Sequence, residues 1–137
     1  MTSLLALHPR GETLCLGAQA LDLIQACAEG RLDKVQAHWA DDHALTVVMA
    51  ADGYPGAYEK GSVIKGLDAL PKDSWNMTFH AGTSEQDGAI VATGGRVLNV
   101  TARGTTLAEA HTRAYAAVDA LDWPEGFCRR DIGWRAL

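Results

Sequence analysis

The strongest constraint on the fold is an uninterrupted apolar run, ALTVVMAA, at residues 44–51. Asp41 and Asp42 precede the run, and Asp52 with Gly53 follows it, so residue types that favour turns bound it on both sides. The run is too short for most helices and is rich in β-branched side chains. We therefore predict a strand that is buried on both faces.

Composition indicates one soluble globular domain. The chain has 137 residues, of which 47% are hydrophobic and 21% charged. Twelve Lys and Arg against seventeen Asp and Glu give a net charge of -5, which opposes binding to nucleic acid. Residues 94–137 nevertheless carry six arginines, which are suited either to an anion site or to a solvated face.

The three cysteines indicate a reduced, cytoplasmic protein. Cys15, Cys27 and Cys128 are odd in number and lack the spacing of a zinc site. No apolar run approaches the roughly 20 residues of a membrane span, so no membrane association is expected.

Around the apolar run, the patterns predict a short helix and several strands. Apolar residues at helical spacing indicate a helix over 18–29, which Gly30 would end. Residues 1–17 keep no period and are expected to form a poorly ordered lead-in to a domain of residues 18–137. The segment 53–61, GYPGAYEKG, reads as a loop. Residues 76–103 read as strands of an antiparallel meander.

The last third of the chain predicts a long helix and a tail. Thr106 and Glu109 form a capping-box pattern that starts a helix over 106–121. The tail 122–137 has aromatic residues that can hold it on the core, and these are Trp123, Phe127 and Trp134. The resulting fold class is α+β, with an antiparallel sheet, a short N-terminal helix and a long helix in the C-terminal half.

The residues alone indicate no self-contained active site. Phosphate-loop motifs are missing, and the five histidines lack metal-ligand spacing, so no metal site is predicted. Arg129 next to Cys128 would lower the pKa of that thiol, but no base accompanies it. No residue of this chain is therefore assigned a catalytic role.

Five motifs in order give a more specific indication: GYPGAYEKG at 53–61, FHAGT at 79–83, GGRVLNVTARG at 94–104, AEAHTRAYAAVDAL at 108–121 and RRDIGWRAL at 129–137. With these motifs the chain resembles the C-terminal domain of phosphoribosylamine–glycine ligase, an ATP-grasp enzyme of purine biosynthesis. The resemblance implies a rudimentary hybrid-motif fold. It also implies the reaction of ATP, 5-phosphoribosylamine and glycine to ADP, phosphate and glycinamide ribonucleotide, through a glycyl phosphate intermediate.

In the intact enzyme the resemblance implies ATP and magnesium as cofactors, held by ATP-grasp domains with an E-x-N-x-R-x-G-D-P-E segment that this chain does not match. We therefore expect this chain alone to bind neither ATP nor magnesium, and the missing ATP-grasp domains to be its partner. A truncated gene product, an excised domain and a free-standing remnant all fit this pattern.

The residues expected to bind the substrate 5-phosphoribosylamine are Tyr54, Lys60, Gly94, Gly95 and Arg96. For its phosphate or the developing charge we expect Lys60, Arg96 and the backbone amides of Gly94 and Gly95. A phosphate needs cations and close backbone approach, which these residues offer. Lys60 could instead pair with Glu59, and Arg96 could be an ordinary exposed side chain. A different function also fits: a non-catalytic module that binds a phosphorylated metabolite or docks to a partner ligase.

Two further cations, in the C-terminal tail, could likewise pair within the chain or contact another part of the enzyme. Arg129 and Arg130 could make salt bridges to Asp131 or contact the missing domains.

Overall fold

A computed structural model describes residues 4–7, 13–16 and 19–137 of the chain. Its helices and strands, in chain order, are β1 (Leu4–Leu7), β2 (Thr13–Leu16), α1 (Gln19–Ala28), β3 (His43–Ala51), β4 (Asn76–His80), β5 (Thr83–Gln86), β6 (Ala89–Ala92), β7 (Arg96–Gly104), α2 (Leu107–Asp119) and β8 (Gly126–Phe127). Single 3-10 turns lie at Leu32–Lys34 and Leu67–Ala69. The α+β class with two helices and antiparallel sheets is confirmed.

A four-stranded antiparallel sheet in the order β4–β7–β3–β8 forms the centre of the fold. β3 and β7 pair along their length, with Leu45 opposite Ala102 and Val47 opposite Val100. These side chains lie on one face, against α2, and all four are at most 4% exposed. The apolar run at 44–51 therefore supplies half of the central strand pair.

The other face of β3 departs from the prediction of a strand buried on both sides. Val48 is 39% exposed, and Thr46 is only half-buried. Thr46 Oγ1 lies 2.9 Å from Thr101 Oγ1 on β7, so the two hydroxyls satisfy each other on this side of the sheet. A continuous apolar run does not by itself distinguish one covered face from two, which is why the sequence pattern did not predict this difference.

The long helix begins where the sequence predicts. Thr106 has extended backbone, and its Oγ1 accepts a hydrogen bond from Glu109 N at 3.2 Å. Glu109 Oε2 in turn accepts one from Thr105 N at 2.8 Å, so side chains satisfy one amide of the first turn and one just before the N-cap. Ala110, Ala114 and Val118 are buried against the sheet, as their spacing predicts.

The strands between residues 76 and 104 do not follow one another as a simple meander. β4 pairs with β7, and β5 and β6 form a separate hairpin. The chain leaves the central sheet at Gly82 and returns at Gly94, where the two backbones touch: a Cβ on Gly82 would lie 2.7 Å from Gly94 Cα. Only glycine permits this approach, and no local periodicity reports it.

The short helix α1 confirms the predicted helix, and Gly30 ends it. Gly30 has φ +67°, and Arg31 N donates to Ala26 O at 2.9 Å, as in a Schellman cap. Its apolar residues, however, face outward. Leu21 is 69% exposed and Ile24 51%, whereas Ala26 is fully buried.

The C-terminal tail is held mainly by Trp123 and Tyr115. Trp123 is 4% exposed, and its Nε1 donates to Ser62 Oγ at 2.9 Å. The prediction that Phe127 and Trp134 also hold the tail is wrong, since they are 42% and 60% exposed. Polar contacts take their place: Tyr115 Oη donates to the carbonyl oxygen of Arg129 at 2.8 Å and accepts from the amide of Ile132 at 3.1 Å.

The predicted lead-in contains the strand pair β1 and β2, with Leu4 opposite Leu16. Residues 1–3, 8–12, 17 and 18 lie outside the described residues. The division into a lead-in of residues 1–17 and a domain of residues 18–137 stays a prediction.

Candidate functional site

The loop 53–61 is built on glycines and a cis proline. Gly53 has φ +88°, and a Cβ there would lie 2.3 Å from the carbonyl oxygen of Ala57, so the turn requires glycine. The peptide bond between Tyr54 and Pro55 is cis. At the other end of the loop, Gly61 N donates to Ala92 O at 2.7 Å. The loop is thus attached to the end of β6.

Tyr54 brings this loop onto the turn that joins β6 to β7. A Cβ on Gly95 would lie 2.1 Å from Tyr54 Cδ2, so the ring rests directly on the Gly95 backbone. Gly95 O accepts from Ala51 N at 2.8 Å, and Tyr54 N donates to Ala51 O at 3.1 Å. Tyr58 meets the Tyr54 ring edge-on, with centroids 6.0 Å apart. Two segments separated by forty residues in the sequence therefore form one rigid corner.

The Gly94 amide already has a hydrogen-bond partner within the chain. This amide, expected to face an anion, donates to the carbonyl oxygen of Gly82 at 3.1 Å, and Thr93 N donates to the same oxygen at 2.7 Å. An anion would have to compete with Gly82 for this amide. Sequence reasoning missed Gly82, although its position in the FHAGT motif, directly after a strand, is a signal for close backbone approach.

The two predicted cations border this corner. Lys60 and Arg96 are exposed, and neither makes an ion pair or a side-chain hydrogen bond with a residue that the structure describes. Lys60 precedes Gly61 at the end of the loop, and Arg96 follows Gly95, opposite Ala50 of β3. The suggested pairing of Lys60 with Glu59 is not present, so both cations can meet an external anion.

The arginines of the tail are engaged with carboxylates instead. Arg129 pairs with Asp131 at 2.6 Å and Arg130 with Asp119 at 2.5 Å. These hydrogen bonds raise the pKa of both guanidinium groups. The predicted salt bridge to Asp131 is therefore confirmed for Arg129, whereas Arg130 pairs with Asp119 instead. Contact of either arginine with the missing domains stays a prediction.

Cys128 is not an activated thiol. Burial raises its pKa, and the nearby Arg130 offsets this only in part, so the lowered pKa suggested by the neighbouring Arg129 is wrong. Between residues 21 and 137, no three His, Cys, Asp or Glu side chains lie together in a group that could hold a metal ion.

A cavity of about 460 Å³ lies elsewhere, beside β4. Leu67, Leu70, Lys72, Thr78 and His80 are among its lining residues, and Tyr54, Lys60 and Arg96 are not. The predicted site is an exposed corner and not this cavity.

Among the described helices, none is long and apolar enough to span a membrane.

Comparison with known proteins identifies the family. Residues 44–135 match the model of the phosphoribosylglycinamide synthetase C domain. The chain is 56% identical over 122 residues to phosphoribosylamine–glycine ligase of Brucella melitensis, covering 89% of this chain and 29% of that protein. The ligase of Allochromatium vinosum is 50% identical over 132 residues, covering 94% of this chain and 30% of that protein.

A solved structure agrees with the sequence comparisons. The crystal structure of phosphoribosylamine–glycine ligase from Thermotoga maritima superposes with a TM-score of 0.64 at 29% identity, over 88% of this chain and 35% of that one. The chain thus spans about a third or less of the length of the relatives it matches. With its family model, relatives and fold in agreement, the chain belongs to the phosphoribosylglycinamide synthetase C-domain family.

Proposed function

We propose that this chain acts as the C-terminal domain of a phosphoribosylamine–glycine ligase and closes the phosphoribosylamine side of its active site. Relatives of that name carry this domain as less than a third of their length. ATP and magnesium would activate glycine on the remaining part of the enzyme. A cytoplasmic location goes with this role in purine biosynthesis.

One observation carries the proposal: two exposed cations without ion-pair partners among the described residues stand at a corner of fixed backbone. Tyr54 lies on Gly95, so the turn that carries Arg96 cannot move freely. The Ala51 N to Gly95 O hydrogen bond of 2.8 Å fixes the same turn to β3. A guanidinium on a rigid turn can bind a phosphate in a bidentate manner, with little further ordering of its backbone.

In this role the domain positions substrate and performs no bond-making step. Arg96 and Lys60 would bind the phosphate monoester and so fix the distance from the corner to the amine of the sugar. The gain in rate comes from orientation of the amine toward the activated glycine.

Steady-state kinetics of a chimaera test this function. In the Brucella melitensis ligase, this chain would replace the matching domain, which is 56% identical. Loss of a charged contact costs about 1.5 to 3 kcal/mol, so Arg96→Ala and Lys60→Ala should lower kcat/KM for phosphoribosylamine roughly ten- to hundredfold. The KM for ATP should stay unchanged.

Lys72→Ala is the matched control, because Lys72 is an exposed lysine that lines the cavity beside β4 and lies away from the corner. If Arg96→Ala and Lys60→Ala raise the KM for ATP alone, the corner serves the nucleotide and the proposal is wrong. If this chain by itself binds a sugar phosphate as tightly as the chimaera does, the non-catalytic module is the better description.

A further inference from the structure

The helix α1 presents an apolar face to solvent. Leu21, Ile24 and Ala28, here called the α1 stripe, lie within about 60° of one another around the helix axis, at 100° per residue. Leu21 is 69% exposed and Ile24 51%, and Ala28 is also exposed. Ala26, about 140° from Leu21 on the same axis, is fully buried. The stripe therefore lies on the exposed side of the helix.

This orientation is the reverse of the usual one. A surface helix of a globular protein turns its apolar stripe toward the core. A helix as short as ten residues also has little stability of its own and depends on packing. Here Ala26 is buried and Leu23 partly buried, while the side chains of Leu21 and Ile24 are left uncovered. The exposed stripe indicates a surface that is covered in an assembly.

The relatives indicate what covers it. The match to the Allochromatium vinosum ligase extends over 94% of this chain, so it includes α1 and not only residues 44–135 of the family model. That match accounts for 30% of the relative. The helix thus belongs to a stretch shared with proteins that carry more than twice as much polypeptide outside it.

We propose that the α1 stripe docks on an apolar surface of the part of phosphoribosylamine–glycine ligase that lies outside this domain. The inference rests on the function proposed above and adds the face through which the domain is held. Leu32, on the 3-10 turn just beyond the helix, is a further large apolar side chain that is 49% exposed. The docked helix would hold the corner of Tyr54 and Arg96 at a fixed place relative to the rest of the enzyme.

Leu21→Glu and Ile24→Glu test the proposal in two proteins, this chain alone and the Brucella melitensis chimaera. In this chain alone both side chains face solvent, and Leu and Glu have similar helix propensities, so the thermal midpoint should shift by less than about 1 °C. In the chimaera a charge would be buried in the interface, and the midpoint should fall by at least about 3 °C. Leu21→Gln gives a milder version should the charged variants fail to fold.

Leu137→Glu is the matched control, because Leu137 is 59% exposed and lies outside α1. It should shift the midpoint of neither protein. Equal shifts in the chain and the chimaera, or no shift in either, would overturn the proposal. Sedimentation of this chain gives a further check: a dimer that Leu21→Glu dissociates would assign the stripe to a second copy instead. Because these readouts are independent of turnover, an inactive chimaera with the expected shift would count against the proposed function alone.

Discussion

Replacement of Tyr115 by Phe should loosen the C-terminal tail by a predictable amount. The Tyr115 hydroxyl donates to the carbonyl oxygen of Arg129 at 2.8 Å and accepts from the amide of Ile132 at 3.1 Å. Tyr115→Phe removes both hydrogen bonds but keeps the ring, which is 9% exposed and contacts His111. Each bond contributes about 0.5 to 1.5 kcal/mol. Water can reach the exposed tail, so we expect a loss of about 1 to 2 kcal/mol, or roughly 3 to 6 °C in Tm.

Urea unfolding of the purified chain measures this loss. The midpoint should fall while the m-value stays constant, since the core itself is unchanged. Tyr58→Phe is the control, because Tyr58 packs against the core and its hydroxyl makes no hydrogen bond with the described residues. If Tyr115→Phe costs no more than Tyr58→Phe, the hydroxyl does not hold the tail and the reasoning is refuted.

Three further predictions concern the cap of α2 and the corner. Thr106→Ala should lower the free energy of unfolding by about 1 kcal/mol, and an unchanged urea midpoint would show that another residue caps the helix. Arg113, and then Thr105, lower the pKa of Glu109 to about 2 from its ordinary value of 4.5. Because the folded pKa is depressed, the stability from Glu109 is present above about pH 4.5 and is lost as pH falls toward about 2, so Glu109→Gln should flatten the acid dependence of the urea midpoint. Gly95→Ala should destabilise the chain, and less so when Tyr54→Ala removes the clashing ring, as a double-mutant cycle would measure.

Local signals predicted the elements that depend on local chemistry. The capping box at Thr106 and the apolar spacing of α2 both involve residues of a single segment. The local sequence is therefore enough to predict this helix and its start. The apolar run 44–51 likewise predicted a strand. The prediction that its second face is also buried was wrong at Val48, because exposure of that side chain depends on which segments pack beside it.

Long-range contacts are the part that the sequence pattern did not provide. β4 pairs with β7 and not with β5, and this pairing depends on the contact between the backbones of Gly82 and Gly94. The two glycines belong to different segments, so the pattern within one strand does not report their contact. The exposure of the apolar face of α1 could not be predicted either. Periodicity shows which side chains share one face of a helix, but not what packs against that face. For the site, the residue types at positions 54, 60 and 96 predicted that an anion binds there. The packing of the Tyr54 ring on Gly95 could be seen only in the structure.

Binding of the product, with and without its phosphate, tests the central claim most directly. Isothermal titration of the Brucella melitensis chimaera would compare glycinamide ribonucleotide with its dephosphorylated nucleoside, for the parent chimaera, Arg96→Ala and Arg96→Lys. If Arg96 binds the phosphate, Arg96→Ala weakens the nucleotide roughly ten- to hundredfold and leaves the nucleoside unchanged, and Arg96→Lys restores only part of the loss. An equal loss for both ligands, or no loss for either, would contradict the assignment of this corner to the phosphate.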